Sequence, residues 1–232
     1  MTHPQHELHE ALVSDSEGYF ARNGSALERA DDPVLKALRT IQRVQPTTTI
    51  LEVGCANGWR LEAARQEFGS RGYGLDASAE AVSDGQRQFP ELWLSQGLAP
   101  ADLARLPQGL SFDCIVLGYF MYLLPRADLF PLASAIDQLL VEGGHLIIFD
   151  FIYPTSVRSE YRHDPALTTF KLDPSSPWSW SPSYSLVERT IYHTDIAAEV
   201  LRDPGNWGTV DVLRKLPDAI AYTPIAGREV QR

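Results

Sequence analysis

The chain has 232 residues, 44% of them hydrophobic and 22% charged, an ordinary balance for a globular protein and not that of a disordered one. Its 20 Lys and Arg against 30 Asp and Glu leave a net charge of −10, which argues against a nucleic-acid partner, because that recognition rests on neutralising phosphates. Two cysteines, Cys55 and Cys114, make no disulfide framework, and no Cys/His cluster has zinc-ligand spacing, so both read as small core hydrophobes and no metal is expected.

No apolar stretch approaches the roughly 20 residues of a membrane-spanning helix, and the N-terminal MTHPQHELHE lacks the layout of a secretion signal. A soluble, cytoplasmic protein without a membrane partner is expected. Residues 1–25 are polar apart from the pair Tyr19-Phe20, which leaves His3, His6 and His9 on a mobile segment. From Asp31, Val34, Leu35, Leu38 and Ile41 fall on one helical face until Pro46 and its threonines stop the helix, so residues 1–44 form a helical arm. An apolar strand, Thr49 to Val53, runs into a glycine turn and a helix over Trp59 to Phe68. A strand at Gly72 to Leu75, a helix at Ala79 to Phe89 and a short strand at Leu92 to Ser95 follow.

Phe112 to Gly118 is continuously apolar, as for a strand covered on both faces. A helix over Leu129 to Val141 buries Leu129, Leu132, Ile136, Leu139 and Leu140, with Gly143-Gly144 closing it ahead of a strand from His145 to Phe151. Strands alternating with helices predict a parallel, doubly wound α/β core over residues 45–153. Residues 154–183, with several prolines and aromatics and no periodicity, read as a loop-rich insertion capping the substrate mouth. Two β runs, Tyr184 to His193 and Gly208 to Lys215, lie in residues 184–232 and suggest an antiparallel pair at the sheet's edge. The whole is expected as one domain with a seven-stranded, mostly parallel sheet.

The informative stretch is Ile50-Leu-Glu-Val-Gly-Cys-Ala-Asn-Gly58, a strand, a tight turn and a helix start. Gly54 and Gly58 allow positive φ and close approach to a ligand outside the strand's carboxyl end. Its spacing is not the dinucleotide G-x-G-x-x-G, and the Glu52 carboxylate would repel a pyrophosphate while suiting a ligand that bears an ammonium and a sulfonium. Asp76 ends the second strand 24 residues later (76 − 52), where a carboxylate accepts hydrogen bonds from ribose hydroxyls. The bland alternatives are a turn that only links strand to helix, and an Asp76 that only starts a helix capped by Ser78.

LEVGCANG, then GLDAS, then FDCIVLGYFMYLL resemble the class I S-adenosylmethionine-dependent methyltransferases in motif, order and spacing over residues 45–153. The resemblance implies a Rossmann-like fold, S-adenosyl-L-methionine as methyl donor and S-adenosyl-L-homocysteine as product. It implies that Glu52, Gly54, Cys55, Ala56 and Gly58 cradle the methionine part and that Asp76 and Ala77 hold the ribose. Gly97, Leu98 and Ala99 would flank the adenine, Leu117 and Gly118 the sulfonium side, and Tyr19 the amino-acid end. Ala56 replaces a frequent glycine, and Leu98 replaces a frequent acid, which shifts the adenine contact to backbone or to a residue such as Asp102.

Methyl transfer is an in-line displacement in which alignment supplies much of the rate; a hydroxyl nucleophile also gains from a base, whereas an amine needs only to be unprotonated. His163, in the insertion, is the candidate base, against a surface-loop role; His145 and His193 read as structural. Tyr119, Tyr122 and Arg162 are the candidate substrate contacts, with Lys171 able to neutralise an acidic substrate. Trp178, Trp180 and Tyr184 serve either a pocket or the packing of a long loop. A small-molecule substrate, methylated at oxygen or nitrogen, fits best; a protein or RNA substrate, a nucleotide-dependent dehydrogenase and a catalytically silent regulator are the competing classes. A homodimer is compatible with the sequence.

Overall fold

A computed structural model of the chain describes residues 4–24, 31–194, 200 and 202–222. Helix α1 spans Pro4–Asn23 and α2 spans Pro33–Val44. Asp32 caps α2 by accepting from the Leu35 N–H at 3.0 Å, Pro33 opens it, and Val34, Leu35, Leu38 and Ile41 are buried as their spacing requires. Strand β1 (Thr49–Val53) leads through the glycine turn to α3 (Trp59–Phe68), which ends at Gly69 with φ 73°. Strand β2 (Arg71–Asp76), α4 (Ala79–Gln88, capped by Ser78), β3 (Trp93–Gln96), β4 (Phe112–Gly118) and α5 (Leu129–Leu139) follow. Then come β5 (Leu140–Phe151), β6 (Val157–Tyr161), β7 (Asp164–Lys171), β8 (Tyr184–His193) and β9 (Trp207–Lys215).

Seven strands form one sheet in the order β3-β2-β1-β4-β5-β9-β8. The first five are parallel, while β9 runs antiparallel to both β5 and β8. Alternate residues of each central strand feed cores on opposite faces. Ile50, Cys114 and Ile147 pack with α2 and α3, and Leu51, Ile115, Leu146 and Ile148 pack with Leu132 and Ile136 of α5. Burying each of these large side chains stabilises the fold by roughly 1.5–3 kcal/mol. Both cysteines are free and buried, as core hydrophobes. Strand order reverses between β1 and β4, and that switch point is where open α/β sheets leave a crevice at the strands' carboxyl ends.

Three expectations need correction. Gly143-Gly144 do not close the α5 helix; Leu140 already pairs with Phe112, and the next pair is Cys114 with His145, so the glycines absorb a bulge inside β5. The insertion is not loop-rich throughout, because β6 and β7 pair as an antiparallel hairpin. Its pattern is masked by exposure: Val157 to Glu160 are all exposed, so no alternation marks the strand. His6 and His9 sit on α1 and not on a mobile segment, while His3 lies outside the described residues.

Candidate active site

A cavity of about 640 Å³ opens at the carboxyl ends of β1, β2 and β4, within the size range of small-molecule sites. Its floor is the turn after β1. Gly54, Ala56 and Gly58 have φ of 76°, 50° and 80°, so three of five consecutive residues are left-handed. Glycine enters that region freely; Ala56 does so at a cost of order 1 kcal/mol or more. The turn is held by Gly54 N–H donating to the Leu75 carbonyl at 2.8 Å and by Ala56 N–H donating to Asp76 Oδ2 at 2.7 Å. Gly118, ending β4, comes so near that a Cβ there would lie 2.7 Å from the Gly54 carbonyl oxygen.

Asp76 is buried and ties three elements together. Its Oδ1 accepts from Ser78 N–H at 2.8 Å and from the Ser16 hydroxyl of α1 at 3.0 Å. Burial raises its pKa, and the hydrogen bonds from Ser78, Ala56 and Ser16 oppose that rise. Ser78 is also the N-cap of α4, accepting from Ala81 N–H, so helix start and acid site share the same residues. Glu17 of α1 accepts from the Ser78 hydroxyl and from Ala79 N–H, placing a carboxylate at the positive end of α4. Two contacts thus pin α1 across the crevice.

Glu52 does not itself line the cavity; Arg60, on the first turn of α3, does. Arg60 Nη1 donates to Glu52 Oε1 at 2.8 Å and Nε to Asp32 Oδ2 at 3.1 Å, and the guanidinium lies over the rings of Trp59 and Phe149 at 5.0 and 5.2 Å. Glu52 Oε2 is buried without a protein hydrogen bond. Burial pushes the Glu52 carboxyl up to about 7, against the pull of Arg60.

The wall after β4 is aromatic. Tyr119 adopts φ 63°, donates its N–H to the Phe149 carbonyl at 2.7 Å, and packs its ring 5.7 Å from Tyr122 and 4.9 Å from Phe149. A non-glycine residue in that conformation stores strain, and such strain gathers at functional sites.

Of the residues singled out from sequence, Tyr19, Gly54, Ala56, Asp76, Ala77, Gly97, Leu98, Ala99, Gly118, Tyr119 and Tyr122 line the cavity. Glu52, Cys55, Gly58 and Leu117 stand behind that surface. Asp102 is turned to the backbone, accepting from Leu98 N–H at 2.8 Å. Arg162 and His163 are exposed at the β6–β7 turn and do not reach the cavity. Lys171 donates to the Gly205 carbonyl at 2.7 Å and covers the Phe151 ring at 4.3 Å. Trp178 and Tyr184 are core packing, and Trp180 is exposed, so the insertion's aromatics build no pocket.

Sequence reasoning missed Arg60 and, Tyr19 apart, the inner face of α1. Arg60 was legible only as one charge in a helix, while Leu8, Leu12, Asp15, Ser16 and Tyr19 recur at helical spacing but mix apolar with polar residues, so no hydrophobic stripe signals the face. Among the described residues no group of three His, Cys, Asp or Glu could hold a metal ion, and no helix is long and apolar enough to cross a membrane.

Residues 50–144 match a family model described as a methyltransferase domain. Among solved structures, the Burkholderia thailandensis 1,6-didemethyltoxoflavin N1-methyltransferase, with bound 1,6-didemethyltoxoflavin and S-adenosylhomocysteine, is similar with a TM-score of 0.69 at 18% identity, over 94% of this chain and 92% of that one. The N-methyltransferase NodS from Bradyrhizobium japonicum WM9, in complex with S-adenosyl-L-homocysteine, gives 0.59 at 16% identity over 86% and 98%. An amino pentose methyltransferase from Micromonospora echinaspora, bound to S-adenosylmethionine, gives 0.58 at 15% over 85% and 96%. No curated protein sequence matches the chain. The chain thus matches a methyltransferase domain over residues 50–144 and shares the Rossmann-like fold of these solved structures.

Proposed function

We propose that the chain acts in the cytoplasm and methylates a small molecule at oxygen or nitrogen by direct in-line transfer. The observation that carries this reading is the roof. Helix α1, pinned through Ser16 to Asp76 and through Glu17 to the start of α4, covers the switch-point crevice and leaves a cavity for a cofactor and a small partner. A polymer would need an open groove, and the net charge of −10 gives RNA no electrostatic reason to bind.

The residues present fit S-adenosylmethionine. On the cavity wall Asp76 Oδ2 accepts the Ala56 N–H with acceptor capacity to spare and Arg60 presents a cation, matching a ribose and a carboxylate, while behind the wall Glu52 Oε2 is an acceptor without a protein donor. When bound, the cofactor supplies a methyl group already activated on a sulfonium. In this reading the Gly54 and Ala56 backbone would hold the methionine part, with Arg60 facing its carboxylate and Glu52, Cys55 and Gly58 supporting them from behind. Asp76 and Ala77 hold the ribose, and Gly97, Leu98 and Ala99 the adenine. Gly118 and Tyr119 would border the reacting centre with Leu117 behind them, Tyr19 would close over the amino-acid end, and Tyr119 and Tyr122 would contact the substrate. Arg162 and His163 take no part, since both are exposed outside the cavity.

Radiolabelled methyl donor added to the protein with a whole-cell extract tests the substrate class. Label should appear in the fraction below about 1 kDa and depend on the protein. Label confined to protein or RNA would refute the small-molecule assignment.

A further inference from the structure

Helix α1 carries an acid into the substrate end of the cavity. Leu8, Leu12, Asp15, Ser16 and Tyr19 lie on one helical face and all line it. The Asp15 side chain is 8% exposed, and its ion pair with Arg22 is long, at 3.9 Å. Tyr161 of β6 faces Asp15, and its ring lies 6.0 Å from that of Tyr122. Tyr122 in turn packs against Tyr119 on the aromatic wall. One residue on, Ser16 donates to Asp76, so the helix fixes Asp15 between the ribose acid and that wall. Burial pushes the Asp15 carboxyl above its ordinary range; Tyr161, Arg22 and His163 pull it back, and Asp164 adds to the rise.

We propose that Asp15 is the general base of the methyl transfer, acting on an acidic X–H of an aromatic ring (a phenol-type O–H or a heterocyclic ring N–H) and not on an aliphatic amine. The inference rests on the cofactor reading of the cavity. The nucleophile's X–H bond breaks onto the Asp15 carboxylate while its freed electron pair forms the new bond to the methyl carbon. The donor's sulfur keeps the electrons of the broken C–S bond as a neutral thioether. A cation and an anion are neutralised together, which a water-poor aromatic cavity favours. An aliphatic amine loses its ammonium proton to solvent before binding and needs no such base. Tyr161, with Tyr122 behind it, is a positioning residue that orients the carboxylate.

The test uses the full chain, S-adenosylmethionine and three probe panels: substituted phenols, xanthine-type ring N–H heterocycles, and phenethylamines, with S-adenosylhomocysteine as readout. Phenols or ring N–H probes should turn over, with Asp15→Asn lowering kcat/KM by about 100-fold or more while cofactor affinity by calorimetry changes less than about twofold. The rate should fall as pH drops through the Asp15 pKa, because the carboxylate is the active form. Tyr161→Phe removes the hydroxyl that holds the Asp15 pKa down and should move the acid limb to higher pH; His163→Gln should move it less. Carboxyl ¹³C NMR of Asp15 should show the same shift without any substrate. Turnover of phenethylamines alone, no turnover of any panel by a protein that binds the cofactor, or an Asp15→Asn variant at wild-type rates would overturn the proposal. Failure of the wild type to bind S-adenosylmethionine would instead overturn the reading of the cavity.

Discussion

Replacing Arg60 by Met isolates the electrostatics beneath the cavity. The guanidinium bridges two carboxylates whose side chains are 1% and 4% exposed, Glu52 and Asp32, and is itself 15% exposed. Removing one partner of a buried pair costs about 3–5 kcal/mol, because an uncompensated charge stays behind. Partial exposure of Arg60, and the Leu35 N–H that still caps Asp32, favour the lower figure. For a chain of this length about 3 kcal/mol corresponds to a Tm lowered by roughly 6–12 °C. The penalty should also depend on pH. Glu52 has a folded-state pKa of about 7, above its ordinary value, so its contribution is fully present at low pH and lost as pH rises through about 7. Without Arg60 that loss grows. Thermal unfolding of wild type and Arg60→Met at pH 5 and pH 8 should show a smaller Tm gap at pH 5, where only Asp32 loses a charged partner, than at pH 8. Equal gaps, or none at pH 8, would refute the idea that Arg60 offsets buried charge.

Asp150, fully buried at the end of β5, accepts from Met121 N–H at 2.7 Å and Phe151 N–H, and burial pushes it up to about 7 against those bonds. Its contribution to stability is likewise lost as pH rises through about 7; Asp150→Asn, which leaves one of these N–H donors without an acceptor, should lie below wild type in Tm at pH 4 and gain on it by pH 8. A difference that does not move in the variant's favour as pH rises contradicts this. Gly118→Ala would bring a methyl group 2.7 Å from the Gly54 carbonyl, backbone that cannot swing aside. It should cost about 1–3 kcal/mol and abolish cofactor binding seen by calorimetry; a variant that binds normally would show that β4 does not abut the turn.

The doubly wound core was legible because its strands are short apolar runs bounded by glycine and its helices carry caps. Thr49–Val53, Trp59–Phe68 and Phe112–Gly118 have the bounds their residue patterns predict. The antiparallel pair at the sheet's edge followed from the two late β runs, whereas the strand order is set by packing that no local pattern encodes. The turn and its acid were legible as well, since left-handed backbone at Gly54 and Gly58 calls for glycine. The roof was not. Helix α1 presents Asp15 and Ser16 inward, and polar residues on an inward face look like solvent-facing ones until the cavity they serve is visible. His163 is the one histidine of the insertion, and the hairpin turns it outward, whereas Asp15 owes its raised pKa to burial that no local sequence pattern encodes.

The most direct measurement is titration calorimetry of S-adenosylmethionine, NAD and ATP into wild type and into Asp76→Ala. One S-adenosylmethionine should bind per chain, neither nucleotide should compete, and the variant should bind about 1–3 kcal/mol more weakly, the worth of hydrogen bonds to a charged acceptor. Tight binding of NAD in its place, or an Asp76→Ala variant with an unaltered dissociation constant, would contradict an adenosyl-sulfonium site at the β1–β4 switch point.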